Sequence, residues 1–375
     1  MHLYLHIPFC RQACYYCDFH FSTSLNNRSD MTMAICQEIK LQRSFLPQNK
    51  LETIYFGGGT PSLLEEEELR RIFDTIHTYF QVLPNAEITL EANPDDLTPA
   101  KLRMLRQLGV NRLSIGIQSF NANHLNYLHR IHTAEEAQVS VKAAQDAGFE
   151  NLTIDLIYAI PASTHDIWQQ DLEQALTLGV PHISAYCLTI EPQTVFGKWL
   201  KNRKIVPIDD AFAAEQFRML IDQLGKKGYE QYEISNFALP GRHSQHNSSY
   251  WKQHPYLGVG PSAHSYDGQF LRQFNISNNT RYVQMILAGT IPAEIEALSE
   301  QDRLNEYILT SLRTKWGSDL DKIAALSTEG NRFIQSIIPS LIANNWLHIQ
   351  GSTLYLTGSG KFFADRVAEE LFWLS

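Results

Sequence analysis

The chain has 375 residues, enough for two domains or for one large domain with an appendage. Its 44% hydrophobic content, with 19 Phe, 16 Tyr and 6 Trp, fills a substantial core and excludes intrinsic disorder. With 31 Lys and Arg against 40 Asp and Glu the net charge is −9, which argues against non-specific nucleic-acid binding but not against a small anionic ligand.

In chain order, short apolar runs alternate with amphipathic stretches. The opening Met1–His6 lacks the basic segment and apolar core of a secretory signal. The longest apolar run, Leu152–Ala162, is interrupted by Asp155 and falls short of the ~20 residues that span a bilayer. A cytoplasmic chain is expected. Strands are expected at Leu3–Phe9, Thr53–Phe56, Glu87–Glu91, Arg112–Ile117, Asn151–Ile157 and His182–Leu188, several of them apolar on successive residues as in strands covered on both faces. Helices are expected between them, at Met31–Phe45, Glu65–Phe80, Pro99–Leu108, Thr133–Ala147 and Asp166–Leu178, and another follows at Asp209–Gly225. Thr98 before Pro99 and Thr133 before Glu136 read as helix caps, and Gly109, Gly148 and Gly179 as helix stops.

Six strand–helix units in a row give a parallel α/β protein, either an open doubly wound sheet or a barrel. In both, the polar residues at strand ends gather on one rim: Gly57–Thr60, Glu91–Pro94, Gln118–Ser119 and Asp155. Three regions follow: 1–240, the α/β unit; 241–279, a connecting segment rich in Gly, Ser, His, Asn and Tyr; and 280–375, a helical unit. Trp346–Gln350 and Thr353–Leu356 form a small hairpin near its end, giving a winged-helix-like appendage. Arg332 alone does not make its Gly330–Ala343 helix a DNA reader.

Five cysteines are an odd number, and three of them, Cys10, Cys14 and Cys17, lie within eight residues after the first strand. That is a metal pattern rather than a disulfide framework. A closed zinc site needs a fourth ligand, for which His6, His20 and Cys36 are candidates. Three thiolates in a tight loop suit instead a [4Fe–4S] cluster with one open iron. The glycine run at Gly58 and Gly59 fits either a tight turn or a close backbone approach to a ligand.

The CxxxCxxC spacing, with GGGTP after the second strand and ExNP after the third, resembles the radical S-adenosylmethionine proteins. The resemblance implies a partial parallel (β/α)6 barrel. It also implies a [4Fe–4S] cluster on Cys10, Cys14 and Cys17 that chelates S-adenosylmethionine and cleaves it reductively. Family matching puts Tyr4 and Tyr16 near the cluster and adenine, and Gly58, Gly59 and Thr60 at the methionine amino group. It puts Glu91 and Gln118 in the site, Arg130 near the carboxylate and Asp155 on the ribose hydroxyls.

The segments YLHIPFC from Tyr4, GVNRLSIGIQSF from Gly109 and YEISNF from Tyr232 narrow the resemblance to the oxygen-independent coproporphyrinogen III oxidase group, over Tyr4 to about Asn275. That group divides into the oxidase, a radical decarboxylase of propionates to vinyls, and a haem-binding branch regarded as chaperones. The oxidase carries a further cysteine where this chain has Phe19, and a longer extension before the cluster strand. His246–Trp251 instead matches the HNxxYW motif tied to haem binding. His246 is then the candidate ligand of haem b, beside the plainer reading of a loop histidine bonded to backbone; His243 and Cys187 compete with it. The resemblance implies haem and acceptor haemoproteins, such as respiratory enzymes, as partners. Contact with the inner membrane would be peripheral and the monomer–dimer state ligand-dependent, with no coproporphyrinogen dehydrogenase activity.

Overall fold

A computed structural model describes residues 1–374. The six expected strands form, as β1 (His2–Ile7), β2 (Lys50–Gly58), β3 (Gln81–Ala92), β4 (Arg112–Gln118), β5 (Asn151–Tyr158) and β6 (His182–Cys187). They are all parallel and lie in numerical order, which gives the partial barrel. The two faces of these strands have different fates. In β4, Leu113, Ile115 and Ile117 are fully buried, whereas Arg112, Ser114, Gly116 and Gln118 line an internal cavity. Thr153 and Asp155 of β5 and His182, Ser184 and Tyr186 of β6 line it too. This period-2 pattern is what separates a barrel with a polar interior from an open sheet with apolar packing on both faces.

The helices between strands form the outer layer. In Glu66–Tyr79 the buried Leu69, Ile72, Phe73 and Ile76 share one face, and Phe73 packs on Phe56 of β2 with ring centroids 5.2 Å apart. The caps are those the sequence signals. Thr98 Oγ1 accepts from Lys101 N at 3.2 Å, and Thr133 with Glu136 forms a reciprocal capping box. Gly109 and Gly148 end their helices at φ 95° and 85°.

The sheet continues at both ends. β7 (Glu230–Glu233) and β8 (Asn236–Ala238) make a hairpin whose β8 pairs antiparallel with β6. Residues 241–279 hold the helix Gln245–Trp251 and the strands β9 (Tyr256–Val259), β10 (His264–Tyr266) and β11 (Leu271–Asn275); β12 (Ala293–Ala297) follows. β9 pairs parallel with β1, and β10 to β12 extend the sheet antiparallel, giving twelve strands in all. The weak periodicity of 241–279 thus conceals short strands of three to five residues.

The C-terminal unit packs the helices Glu300–Leu312, Leu320–Leu326 and Thr328–Ala343 against a three-stranded antiparallel wing of Ser318–Asp319, Thr353–Leu356 and Leu347–Gln350. Leu304, Ile308, Ile334, Ile338, Leu341 and Leu354 form its own core. It leans on the barrel where Lys315 N donates to Tyr232 O at 2.9 Å and where Phe362 meets Phe217 edge-on at 5.2 Å. No helix among the described residues is long and apolar enough to cross a membrane.

Candidate functional site

The barrel interior, the loop after β1 and the C-terminal unit enclose one open cavity of about 1680 Å³. All thirteen residues singled out from the sequence line it: the three cysteines and Tyr4, Tyr16, Gly58, Gly59, Thr60, Glu91, Gln118, Arg130, Asp155 and His246. The cysteine loop is pinned at its base by Cys10 N donating to Ser22 O (3.0 Å) and Ser22 N to Pro8 O (2.8 Å), and in its middle by Tyr15 N to Leu128 O (3.2 Å). Burial pushes the Cys10 thiol up to about 11 and the Cys17 thiol up to about 12, so iron must displace both protons as it binds. Arg130 Nη1 donates to Cys14 Sγ at 3.6 Å, and its Nη2 donates to Asn93 Oδ1 and Gly116 O at 2.7 Å each. Its Nε is buried without a partner, a donor suited to a ligand carboxylate.

Among the described residues no group of three His, Cys, Asp or Glu side chains could hold a metal ion of its own. The candidate fourth zinc ligands His6, His20 and Cys36 are each engaged elsewhere. His6 Nε2 is bonded to His20 O at 2.8 Å, and Cys36 Sγ donates to Arg71 O at 3.7 Å. The remaining donor set, three thiols with a guanidinium beside Cys14, suits the larger cluster and an anionic group next to it.

Two buried carboxylates face the cavity. Glu91 accepts from Tyr55 OH at 2.7 Å and from Gly58 N at 3.2 Å, yet burial, aided by Asp155, pushes it up to about 7. Asp155 accepts from Ser114 Oγ at 3.3 Å, and burial pushes it up to about 6. Each oxygen already has a partner, and the remaining acceptor capacity of these buried carboxylates suits an ammonium and a pair of ribose hydroxyls. Gln118, at φ 68°, is held in the left-handed region at the point where the β4–β5 register shifts, a strained position for a non-glycine residue.

The glycines line the cavity and also meet a packing constraint of their own. A Cβ on Gly59 would stand 2.6 Å from Phe9 O, and one on Gly58, at φ 107°, would stand 2.7 Å from the His6 ring. Gly59 N donates to Ile7 O (2.8 Å) and Thr60 N to Phe9 O (2.6 Å), so these amides serve the loop after β1. The alanine variant Gly59→Ala is expected to lose about 1–3 kcal/mol by overpacking, read as a lower denaturant midpoint at unchanged m-value.

His246 is a helical residue, not a loop residue, and neither ring nitrogen is free. Nδ1 is bonded to Thr53 Oγ1 at 2.6 Å and Nε2 to Tyr250 OH at 2.9 Å, with the ring stacked on Tyr55 at 4.9 Å. Burial holds it neutral, well below its usual pKa. The expectation of backbone bonding through its ring is corrected to these two hydroxyls, and ligation of iron at Nε2 needs the Tyr250 hydroxyl to move aside. Its helix is anchored by Glu87, which accepts from Gln245 N (3.1 Å) and His246 N (3.0 Å) at the electropositive N-terminus. The rest of the motif is equally engaged. Asn247 Nδ2 donates to Tyr232 OH at 3.1 Å, and Trp251 lies under the Arg313 guanidinium at 5.7 Å. His243 is tied to Glu230 at 3.1 Å, while Cys187 lines the cavity. Thr53, Tyr55 and Glu87, which position His246, carried no signal in the sequence, because each acts through a pairing about 160–190 residues distant that only the assembled partial barrel brings together.

The family model of the Radical SAM superfamily matches residues 4–175. Proteins called "Heme chaperone HemW" run beside nearly the whole chain: that of Bacillus subtilis is 32% identical over 97% of both chains. That of Lactococcus lactis is 35% identical over 98% of this chain and 96% of its own. The chain belongs to the HemW family. The HemW of Escherichia coli, 32% identical over 98% of this chain and 97% of its own, agrees. The solved Escherichia coli coproporphyrinogen III oxidase HemN, described as a radical SAM enzyme, matches with a TM-score of 0.84 over 99% of this chain and 89% of that one. At 22% identity it shows that this chain and HemN share a fold, the appendage included.

Proposed function

We propose that this protein binds haem b in its cavity and passes it to acceptor haemoproteins, without oxidising coproporphyrinogen III. What carries the reading is one continuous cavity that takes in both the thiol triad and the HNxxYW residues His246, Asn247 and Tyr250, in a chain of the HemW family. Cys10, Cys14 and Cys17 hold a [4Fe–4S] cluster, and the adjoining rim holds S-adenosylmethionine. When bound, this pair supplies low-potential electrons and radical chemistry. Arg130 takes the methionine carboxylate through its unpartnered Nε. Glu91 takes the amino group, and Asp155 the ribose hydroxyls. Tyr4 and Tyr16 cover the adenine, and Gln118 presents its amide between these sites. The Glu91–Tyr55 hydrogen bond and the Tyr55–His246 stack couple this rim to the haem motif, so that occupation of one is felt at the other.

His246 ligates the haem iron once Tyr250 swings away. Phe19, 72% exposed at the cavity mouth, stands where the oxidase carries its further cysteine. The chain is read as cytoplasmic, meeting membrane-bound acceptors peripherally and changing oligomeric state with its ligands. Anaerobic haem titration of cluster-loaded protein tests the core of this. A saturable Soret band is expected in the wild type, lost in His246→Ala or weakened by at least about tenfold, 1.4 kcal/mol. No saturable band in either protein overturns the reading and puts porphyrinogen decarboxylation in its place.

A further inference from the structure

The cavity wall supplied by the C-terminal unit carries cations that neither the cluster nor S-adenosylmethionine uses. Arg313, at the end of the helix Glu300–Leu312, and Lys361, in the turn Gly360–Phe363, both line the cavity. Neither is ion-paired with a buried carboxylate, although Glu233, raised by its burial, is close enough to Arg313 to feel the opposing pull of its charge. The one carboxylate paired with Arg313 is that of Asp365, which is 72% exposed, and Arg313 Nε is buried with no hydrogen-bond partner. Lys361 Nζ donates only to a neutral amide, Gln231 Oε1, at 2.8 Å, although burial disfavours its charge. In a chain of net charge −9, two half-buried cations, neither within ion-pair distance of a buried carboxylate, are not a by-product of basic composition.

Aromatic side chains lie beside both cations. The Arg313 guanidinium lies over the Trp251 ring at 5.7 Å, and Phe362 and Phe363 flank Lys361 on the same wall. The Phe362 and Phe363 surface in the cavity, edged by two cations with unmet donor capacity, is the complement of a planar hydrophobic ligand bearing carboxylates on one edge, while Trp251 supports Arg313 from behind the lining. We propose that Arg313 and Lys361 form a carboxylate clamp that holds the propionates of the tetrapyrrole. Trp251, the last residue of the HNxxYW motif, is a positioning residue that fixes the guanidinium plane. The clamp rests on the haem reading and deepens it, because it orients the macrocycle with its propionates toward the C-terminal unit. Asp365 competes with the propionate for Arg313.

The test is anaerobic titration of cluster-loaded protein with haem and, in parallel, with haem dimethyl ester, whose propionates are blocked. Arg313→Gln and Lys361→Met should each weaken haem binding about tenfold or more and leave ester binding unchanged. Asp365→Asn, which frees Arg313, should tighten haem binding and leave the ester unaffected, a gain that a merely structural role does not produce. Equal losses of haem and ester would show a packing defect and overturn the clamp, as would variants that bind haem like the wild type. If the wild type binds haem and His246→Ala does not, such results remove the clamp and spare the haem reading. A wild type that takes up no haem removes both.

Discussion

Anaerobic reconstitution of Cys14→Ser is expected to yield a folded chain with iron at background and no iron–sulfur charge-transfer absorption. Cys10, Cys14 and Cys17 line one cavity, whereas Cys36 donates to Arg71 O on the helical layer and cannot substitute. A serine hydroxyl is a hard, weakly acidic donor that does not replace a thiolate on iron. Arg130 Nη1, which meets Cys14 Sγ at 3.6 Å, would then face a neutral oxygen. The loop does not depend on the cluster for its shape, since backbone bonds at Cys10, Tyr15 and Ser22 hold it. The denaturation midpoint of the cluster-free protein should therefore match that of cluster-free wild type. Cys36→Ser serves as the control and keeps its iron. Full iron content in Cys14→Ser would remove the cluster from this loop.

The second large effect is a pH-dependent penalty at the two buried carboxylates of the barrel rim, Glu91 and Asp155. Glu91 is raised by burial to about 7 from an ordinary value near 4.5, and Asp155 to about 6 from near 3.8. A folded-state pKa above the unfolded one means that the native chain holds a proton the unfolded chain has released. The stability contribution is thus complete below about pH 4 and is lost as pH rises through 6 and 7. Fully traversed, each shift amounts to about 3 kcal/mol. Buried histidines pull the other way, His2 and His6 both being lowered to about 4, so the bare stability profile mixes the two effects. The difference between variant and wild type isolates the carboxylates. Glu91→Gln and Asp155→Asn should each be more stable than wild type by about 3 kcal/mol at pH 8, with the gain vanishing near pH 4. Urea denaturation of cluster-free protein across that range reads it directly. Saturating S-adenosylmethionine should shrink the gain, because an ammonium and two hydroxyl donors make the ionised carboxylates affordable. A pH-independent difference would show that neither group is protonated in the native state.

What the sequence could disclose was governed by the range of the interactions involved. Helix caps are local, and Thr98, Thr133 and Glu136 act as their spacing predicts. The cofactor rim was legible because parallel strands must present their C-terminal ends together, which collects Gly58, Glu91, Gln118 and Asp155 without any knowledge of register. The choice between barrel and open sheet was not legible from apolar runs. It rests on the inward alternation of Arg112, Ser114, Gly116 and Gln118, visible once it is known which face is covered. The haem motif was misplaced as a loop because seven residues from Gln245 to Trp251 make a helix too short to show a period. Its partners Thr53, Glu87 and Arg313 lie more than sixty residues away in either direction. Phe19 was read for what it is not, a cysteine; its exposure at the cavity mouth emerges only from the fold.

The placing of β1 inside the sheet, between β2 and β9, has a consequence for how the chain is made. During synthesis β1 gains one neighbour by residue 58 but waits for Tyr256–Val259 to cover its other edge. At about 5–20 residues per second, that edge stays open for roughly 10–40 seconds of synthesis. Throughout, a strand whose Leu3, Leu5 and Ile7 end up fully buried offers unpaired amides to any passing chain. The loop carrying Cys10, Cys14 and Cys17 hangs from that same unfinished edge. Until Tyr256–Val259 is made and paired, that loop therefore has at its base a strand with one edge open.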